Sequence, residues 1–459
     1  MRFSQGYCYI AFVLLGVFLL TQHGIAAGGG AVLPNYEIWK GDLSSSAYDL
    51  AISSSGEYIA AGSMDGTVSL IDRSGKLLWA YNNAQVTGLQ QNADRDGDKW
   101  VSVAISSDGG YVAAGIWDNA ESRVRSPKIL FFDRDGGLLW TSPAQYVSDI
   151  AMTPDGSRIA VAADRGALLL DQTGSVVWEN DRLGFSNTIS VSDDGSVVAW
   201  TGAYNKLYLF DATGSLIGEN TLGPGRGWGM DNLLGSMSAD GSLFLAVQSG
   251  PDEGTVGLFG KDGSLLWTST EPNSSRNSGD LSATGEYAVI GMENKITLID
   301  RKGTPIWTQD NSAISAQNDR YYLVAISRDG SCIAAATEVG NRLSVWTKNG
   351  DRIWAASVGS GTNRLAMSSA GEYIVTASGS TLYLFKKDRN TNDPPYLANL
   401  KSNIRYDTPS FVQSYIFSKY LTAGNLVIGA MVIGIGCGAV YSIWRMKKYL
   451  RGKNPRKRV

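Results

Sequence analysis

Histidine is all but missing from this chain of 459 residues: there is one, His23, close to the amino terminus. Its three cysteines are Cys8, Cys332 and Cys437, and only Cys332 lies in the body of the chain. The body therefore can form no histidine-based nucleophilic triad, no His/Cys zinc site and no intrachain disulfide. Cys332 reads as a small apolar strand residue. Proline is scarce at 12 residues, whereas glycine is abundant at 54. Aromatics make up 10% of the chain, too many for disorder. High glycine with many aromatics suits an all-β protein rich in tight turns.

The body also lacks basic excess. The last fifteen residues, 445–459, carry eight Lys/Arg and no acid, although the whole chain has a formal charge of −3. What lies between the two ends is acidic, and an acidic body repels a phosphate backbone, so the reading excludes nucleic acid as a partner. No glycine-rich stretch has P-loop spacing.

Long apolar runs occur only at the ends. Arg2, the run Tyr7–Leu20 and the small residues Ala26 and Ala27 describe a signal peptide over 1–27. Near the other end, Leu426–Trp444 carries no charge and matches the thickness of a hydrocarbon core. The reading is a transmembrane helix over 421–444, preceded by a stalk over 389–420 and followed by a basic cytoplasmic tail over 445–459. Positive charge beside the helix keeps the tail inside, so the body, 28–388, is expected outside a cell membrane that it spans once. Ala430, Gly434, Gly438 and Ser442 fall on one face of that helix, a spacing that lets two helices approach and suggests a homodimer.

Within the body one phrase returns. "DRSGKLLWAY" at 72–81 recurs as "DRDGGLLWTS" at 133–142, "DQTGSVVWEN" at 171–180 and "DRKGTPIWTQ" at 300–309. A second phrase, "DLAISSSGEYIAAG" from 49, recurs as "SVAISSDGGYVAAG" from 102, "DIAMTPDGSRIAVAA" from 149 and "RLAMSSAGEYIVTA" from 364. Self-similarity at about 40 residues gives eight units. Each holds four short apolar runs; in the first they are Asp49–Ser53, Tyr58–Gly62, Thr67–Ile71 and Lys76–Tyr81. Glycine-containing turns join run one to two and run three to four, so each unit is expected to be a four-stranded propeller blade.

The recurrent tryptophans, Trp39, Trp79, Trp140, Trp178, Trp267, Trp307 and Trp354, fall in the fourth run, with Gly218 at the remaining position. They are expected to wedge blade against blade, and the joint at Gly218 to be the weakest. Trp39 precedes the first unit, and the last unit lacks a fourth run. "NYEIW", 35–39, is therefore expected to close the ring as the outer strand of the eighth blade, which removes exposed edges.

The fold class that follows is all-β: an eight-bladed β-propeller closed by an N-terminal strand, plus one C-terminal transmembrane α-helix. On these phrases the body resembles the WD-repeat and pyrroloquinoline-quinone-type repeat propellers. "S-x-D-G-x-Y-I-A-A-G" is similar to the first and "G-x-L-L-W" to the second. Eight blades with this tryptophan resemble quinoprotein dehydrogenases and an outer-membrane assembly scaffold. The dehydrogenases use adjacent cysteines, a calcium site and a catalytic Asp; this body has Cys332 alone.

The connections from run two to three and from run four to the next unit vary in length, and in a propeller both emerge on one face. Binding residues favour such loops. On that face Asn92, Asp94, Asp96 and Asp98 alternate around Gly97 as calcium loops begin, although Val103 stands where an EF-hand has Glu. Trp100 and Trp117 fall in the two longest loops of the second unit, where they would form an aromatic patch. Arg226 and Trp228 sit between glycines in a further candidate contact loop. Asn273 begins a glycosylation sequon. The function expected is non-enzymatic: an extracytoplasmic scaffold recognising a protein, peptide or glycan, with Ca2+ the one cofactor suggested. Alternatives are a quinone- or calcium-dependent oxidoreductase-like propeller and a surface sensor.

Overall fold

A computed structural model describes residues 36–388, apart from 83–98, 119–126, 145, 164–165, 224–231, 250–252, 273–276, 293–294, 311–320, 338–340 and 360. The expected signal, stalk, membrane helix with its small-residue face (Ala430, Gly434, Gly438, Ser442) and tail lie outside the described residues. Among the described residues no helix is long and apolar enough to cross a membrane.

Among the described residues there are eight four-stranded antiparallel sheets; seven are meanders of consecutive strands that follow one another along the chain, and the eighth joins the two ends of the fold. Blade 1 comprises Ala47–Ile52, Tyr58–Ser63, Thr67–Asp72 and Leu77–Asn82, close to the four runs read from the sequence. Blades 2 to 7 span 99–143, 147–180, 186–221, 232–272, 277–310 and 321–357. Blade 8 takes three strands from 362–386, and Glu37–Asp42 supplies its fourth by pairing with Thr381–Lys386, Lys40 opposite Tyr383. The amino-terminal strand thus closes the ring. We call the end carrying the one-to-two and three-to-four turns the turn face, and the opposite end the loop face.

Turn chemistry explains why the strands stop where they do. In blade 2, Ser106 Oγ donates to Asp108 Oδ1 (2.8 Å) and accepts from Tyr111 N (2.9 Å), while Gly109 takes φ +69°. In blade 1 the later turn is held by Asp72, whose Oδ1 accepts from the N–H groups of Ser74 and Lys76. Gly75 there takes φ +87°, a conformation that costs a side-chain-bearing residue more than glycine.

Second and third strands are apolar on both faces because both faces are covered by neighbouring blades. Ile59, Ala60 and Ala61 are fully buried, and Val68 and Leu70 pack with Val112, Ala114 and Leu130 of the next blade. The outermost strand is half in water: Leu77 and Leu78 are exposed, while Trp79 turns inward.

The repeated tryptophan lies over the turn of the following blade. Trp39, Trp79 and Trp140 donate Nε1 to the carbonyls of Arg73, Arg134 and Gln172 at 2.8–2.9 Å. Trp267, Trp307 and Trp354 bond Arg301, Lys348 and Lys387 in the same way. Each ring except the last covers a turn glycine; a Cβ on Gly136 would come within 2.7 Å of Trp79. At the closure, Trp354 instead stacks on Tyr36 at 5.1 Å. Trp178 is buried over Gly214, but its Nε1 has no hydrogen-bond partner among the described residues.

Gly218 leaves no gap. A Cβ built there would lie 2.5 Å from both Asp262 C and Gly263 N, and Asn220 Nδ2 donates to Gly263 O at 2.7 Å. Where the sequence suggests a missing wedge, blades 4 and 5 meet backbone to backbone.

Candidate interaction surface on the loop face

The inner strands begin at the loop face, and four of the blades bring aromatic rings and a cation together there. Trp100 and Trp117 are not loop residues: they end the strands Lys99–Ile105 and Tyr111–Asp118 and pair directly across them. Both segments continue the strand's run of aromatic and β-branched residues, so the ladder extends further than turn signals alone suggest. Their ring centroids are 5.5 Å apart. Trp100 stacks on Tyr48 of blade 1 at 6.0 Å and 16°, and Trp117 meets Tyr146, just before blade 3, at 5.5 Å. The guanidinium of Arg364, from blade 8, lies over the far side of the array, 4.8 Å from the Tyr48 ring centre. Arg364 Nε is also 3.9 Å from Asp49 Oδ1. Burial pushes the Tyr48 phenol up; Arg364 opposes that, and Asp49 and Asp149 add to it.

A polar layer lies at the same depth in the inner strands. Asp49 Oδ2 accepts from Val103 N (2.9 Å) and Ser102 Oγ (2.8 Å). Asp149 Oδ2 accepts from Ile189 N of blade 4 (2.9 Å), and its Oδ1 lies 3.2 Å from the same Ser102 Oγ. Asp280 makes a similar bridge from blade 6, accepting from Ile326 N and Ser236 Oγ. Asp149 keeps some exposed area, yet protein crowds its carboxyl on every side, and this desolvation, with the charge of Asp49, pushes it up to about 7. Asp280 is raised by the same desolvation.

Below this layer the inner strands surround a cavity of about 580 Å3. Toward the turn face, backbone bonds link one blade to the next: Ser54 N to Ser107 O, Ser107 N to Pro154 O, and onward from Asp193 through Ala239, Ala283 and Arg328 to Ser369, whose N–H returns to Ser54 O. The circle is broken at Pro154, which has no N–H to offer Asp193. Asp193 is instead ion-paired with Arg328, three blades on, past the small side chains of Ala239 and Ala283.

Of the other candidate residues, Asn92, Asp94, Asp96, Asp98, Arg226 and Trp228 lie outside the described residues. Among the described residues no group of three or more His, Cys, Asp or Glu is placed to hold a metal ion. Tyr48, Tyr146, Arg364 and the acidic layer were not singled out from the sequence. The signal was present: "DLAI", "SVAI", "DIAM" and "RLAM" align, and their first residues are Asp49, Ser102, Asp149 and Arg364.

With this architecture in view, the family model described as "Outer membrane protein assembly factor BamB", built on PQQ-type repeats, matches residues 64–229 and 169–392. The chain belongs to that repeat-propeller family. A WD-domain G-beta repeat model also matches this PQQ-type propeller, over residues 36–72. No curated protein matches it. Among solved structures, the C-terminal WD40 domain of Sif2 is similar with a TM-score of 0.58 and 14% identity, over 76% of this chain and 97% of that one. The computationally designed Ika8 protein is similar with a TM-score of 0.56 and 13% identity, over 75% and 97%. At these identities the likenesses speak for the fold.

Proposed function

We propose that this propeller is a membrane-anchored binding scaffold that takes a protein or peptide partner on its loop face, through Tyr48, Trp100, Trp117, Tyr146 and Arg364. The observation that carries the reading is the array itself. Tryptophan, tyrosine and arginine are the residue types that dominate protein interfaces. Here five of them are pre-ordered against one another, so little side-chain entropy remains to be lost on binding. The ring faces are largely taken up by their neighbours, as in the Arg364–Tyr48–Trp100 stack. The Tyr146 ring is exposed and the two indoles are half-buried, a surface that suits the mixed contacts of a peptide better than the flat stacking of a sugar ring. The acidic body, the signal-like start and the basic tail support an extracytoplasmic placement.

The test is affinity capture with the full chain and with Trp100→Ala and Trp117→Ala. Each substitution is expected to weaken capture by about 30-fold, the loss of roughly 2 kcal/mol typical of a hot-spot residue. Unchanged capture by the double variant removes the array from the contact surface. Competition by oligosaccharides but not by peptides would give the site to a glycan.

A further inference from the structure

Beneath the array, two carboxyl groups share one hydroxyl. Ser102 Oγ lies 2.8 Å from Asp49 Oδ2 and 3.2 Å from Asp149 Oδ1. A serine hydroxyl has a single hydrogen, so it can donate to one carboxylate only. The other oxygen facing it must bring a proton of its own or meet a lone pair at close range. We propose that Asp49 and Asp149 hold one proton between them through Ser102, and that this proton sets the geometry of the aromatic array above.

The surroundings decide which acid carries it. Asp49 has the cation: Arg364 Nε is 3.9 Å from its Oδ1, while Leu50 N and Val103 N also donate to it. Apart from Ser102, Asp149 has only backbone donors among the described residues, Ile150 N to Oδ1 and Ile189 N to Oδ2. The low-energy arrangement is directional. Asp149 O–H donates to Ser102, Ser102 donates to the Asp49 carboxylate, and that carboxylate faces Arg364. The remaining described groups add no charge that would reverse this. Tyr48 is a neutral phenol on the inner strand of blade 1. The inner strand of blade 4 offers Asn187 and Thr188, and Arg158, on the second strand of blade 3, sits at its turn-face end. Burial and the Asp49 charge both favour the neutral form of Asp149, in line with its upward shift.

Loss of the proton leaves two charges across one hydroxyl in the wall that joins blades 1, 2, 3 and 4. Arg364 is the cation at hand, and it also lies over Tyr48 at the end of the array. A guanidinium drawn toward the pair changes its seat on Tyr48, and through Tyr48 that of Trp100. The functional meaning of that shift rests on the contact role proposed for the array; the shared proton does not.

The test uses the full chain. Infrared difference spectra near pH 6 are expected to show a protonated-carboxyl band that Asp149→Asn removes. The folding equilibrium constant of the wild type is expected to fall by up to tenfold per pH unit as the pH rises between about 4 and 7. Asp149→Asn, whose amide donates to Ser102 as the neutral acid does, is expected to lose that part of the slope. Trp100 and Trp117 report on the array. The difference in emission between wild type and the Trp100→Phe/Trp117→Phe variant is expected to change over the same pH range, and to stay flat in Asp149→Asn. No carboxyl band and identical pH profiles overturn the proton. A proton with pH-independent emission overturns its link to the array. Capture that ignores Trp100 and Trp117 sinks only the contact role. Should Asp149→Asn fail to fold, Asp49→Asn serves: without the neighbouring charge, the wild-type band is expected to disappear at a lower pH, and no change refutes the sharing.

Discussion

Gly218 offers the sharpest contrast between a guess from the repeat and the packing found. On the repeat alone, replacing it by tryptophan restores a missing wedge and raises stability. The structure gives the opposite sign. Even one methyl group at Gly218 would lie 2.5 Å from the backbone of Asp262 and Gly263, too close for any real carbon contact. Relief requires blades 4 and 5 to separate, which also stretches the bond from Asn220 Nδ2 to Gly263 O. Overpacking of this kind costs about 1–3 kcal/mol. At roughly 2.1 cal/mol/K of unfolding entropy per residue, a propeller of about 350 residues loses some 1–4 °C in Tm for Gly218→Ala. Gly218→Trp is expected to lose more, because an indole cannot be seated without opening the joint. Differential scanning calorimetry of both variants beside Trp140→Ala decides the matter. Trp140→Ala is expected to lose about 2–4 kcal/mol through its exposed joint and broken bond to Gln172. A rise in Tm for Gly218→Trp would show that the joint has room, and the reasoning about backbone contact would fall.

Three further outcomes are expected. Trp39→Ala is expected to lose about 2–3 kcal/mol in urea denaturation, less than for a fully buried ring because Trp39 is half-buried, and to expose Thr381–Lys386 to protease as the closing strand frays. Cys332 is fully buried and its thiol is pushed up to about 12 by burial, so peptide mapping should find it unalkylated in the native protein at pH 8 and alkylated once unfolded; native labelling would contradict its placement. The turn aspartates act at the acid end. Backbone N–H groups of Gly110, Ser157 and Ser196 hold Asp108, Asp155 and Asp194 below the ordinary 3.8. Their stabilisation is present above that value and lost as the pH falls through the lowered folded-state values, so Tm measured downward from about pH 4 should drop, and Asp194→Asn should drop less.

The sequence by itself determined the blade count, the order of the strands and the closure, because these are local and repeated; strand ends, as at Trp100 and Trp117, it did not. A turn of Ser, Asp and Gly, a short apolar run and a tryptophan carry the same meaning each time they occur. Trp39 ahead of the first unit and a final unit one strand short were enough to pair the two ends. Tertiary structure alone decided what the blades do to one another. That Gly218 is filled by the backbone of the next blade depends on how closely two sheets approach, which no residue within either sheet states. That Tyr48, Trp100, Trp117, Tyr146 and Arg364 form one array, and that Asp49 and Asp149 face a single serine, follows from circular closure. Closure sets residues tens to hundreds of positions apart side by side at one depth. The letters at that depth were legible, but the contact between them is a property of the ring.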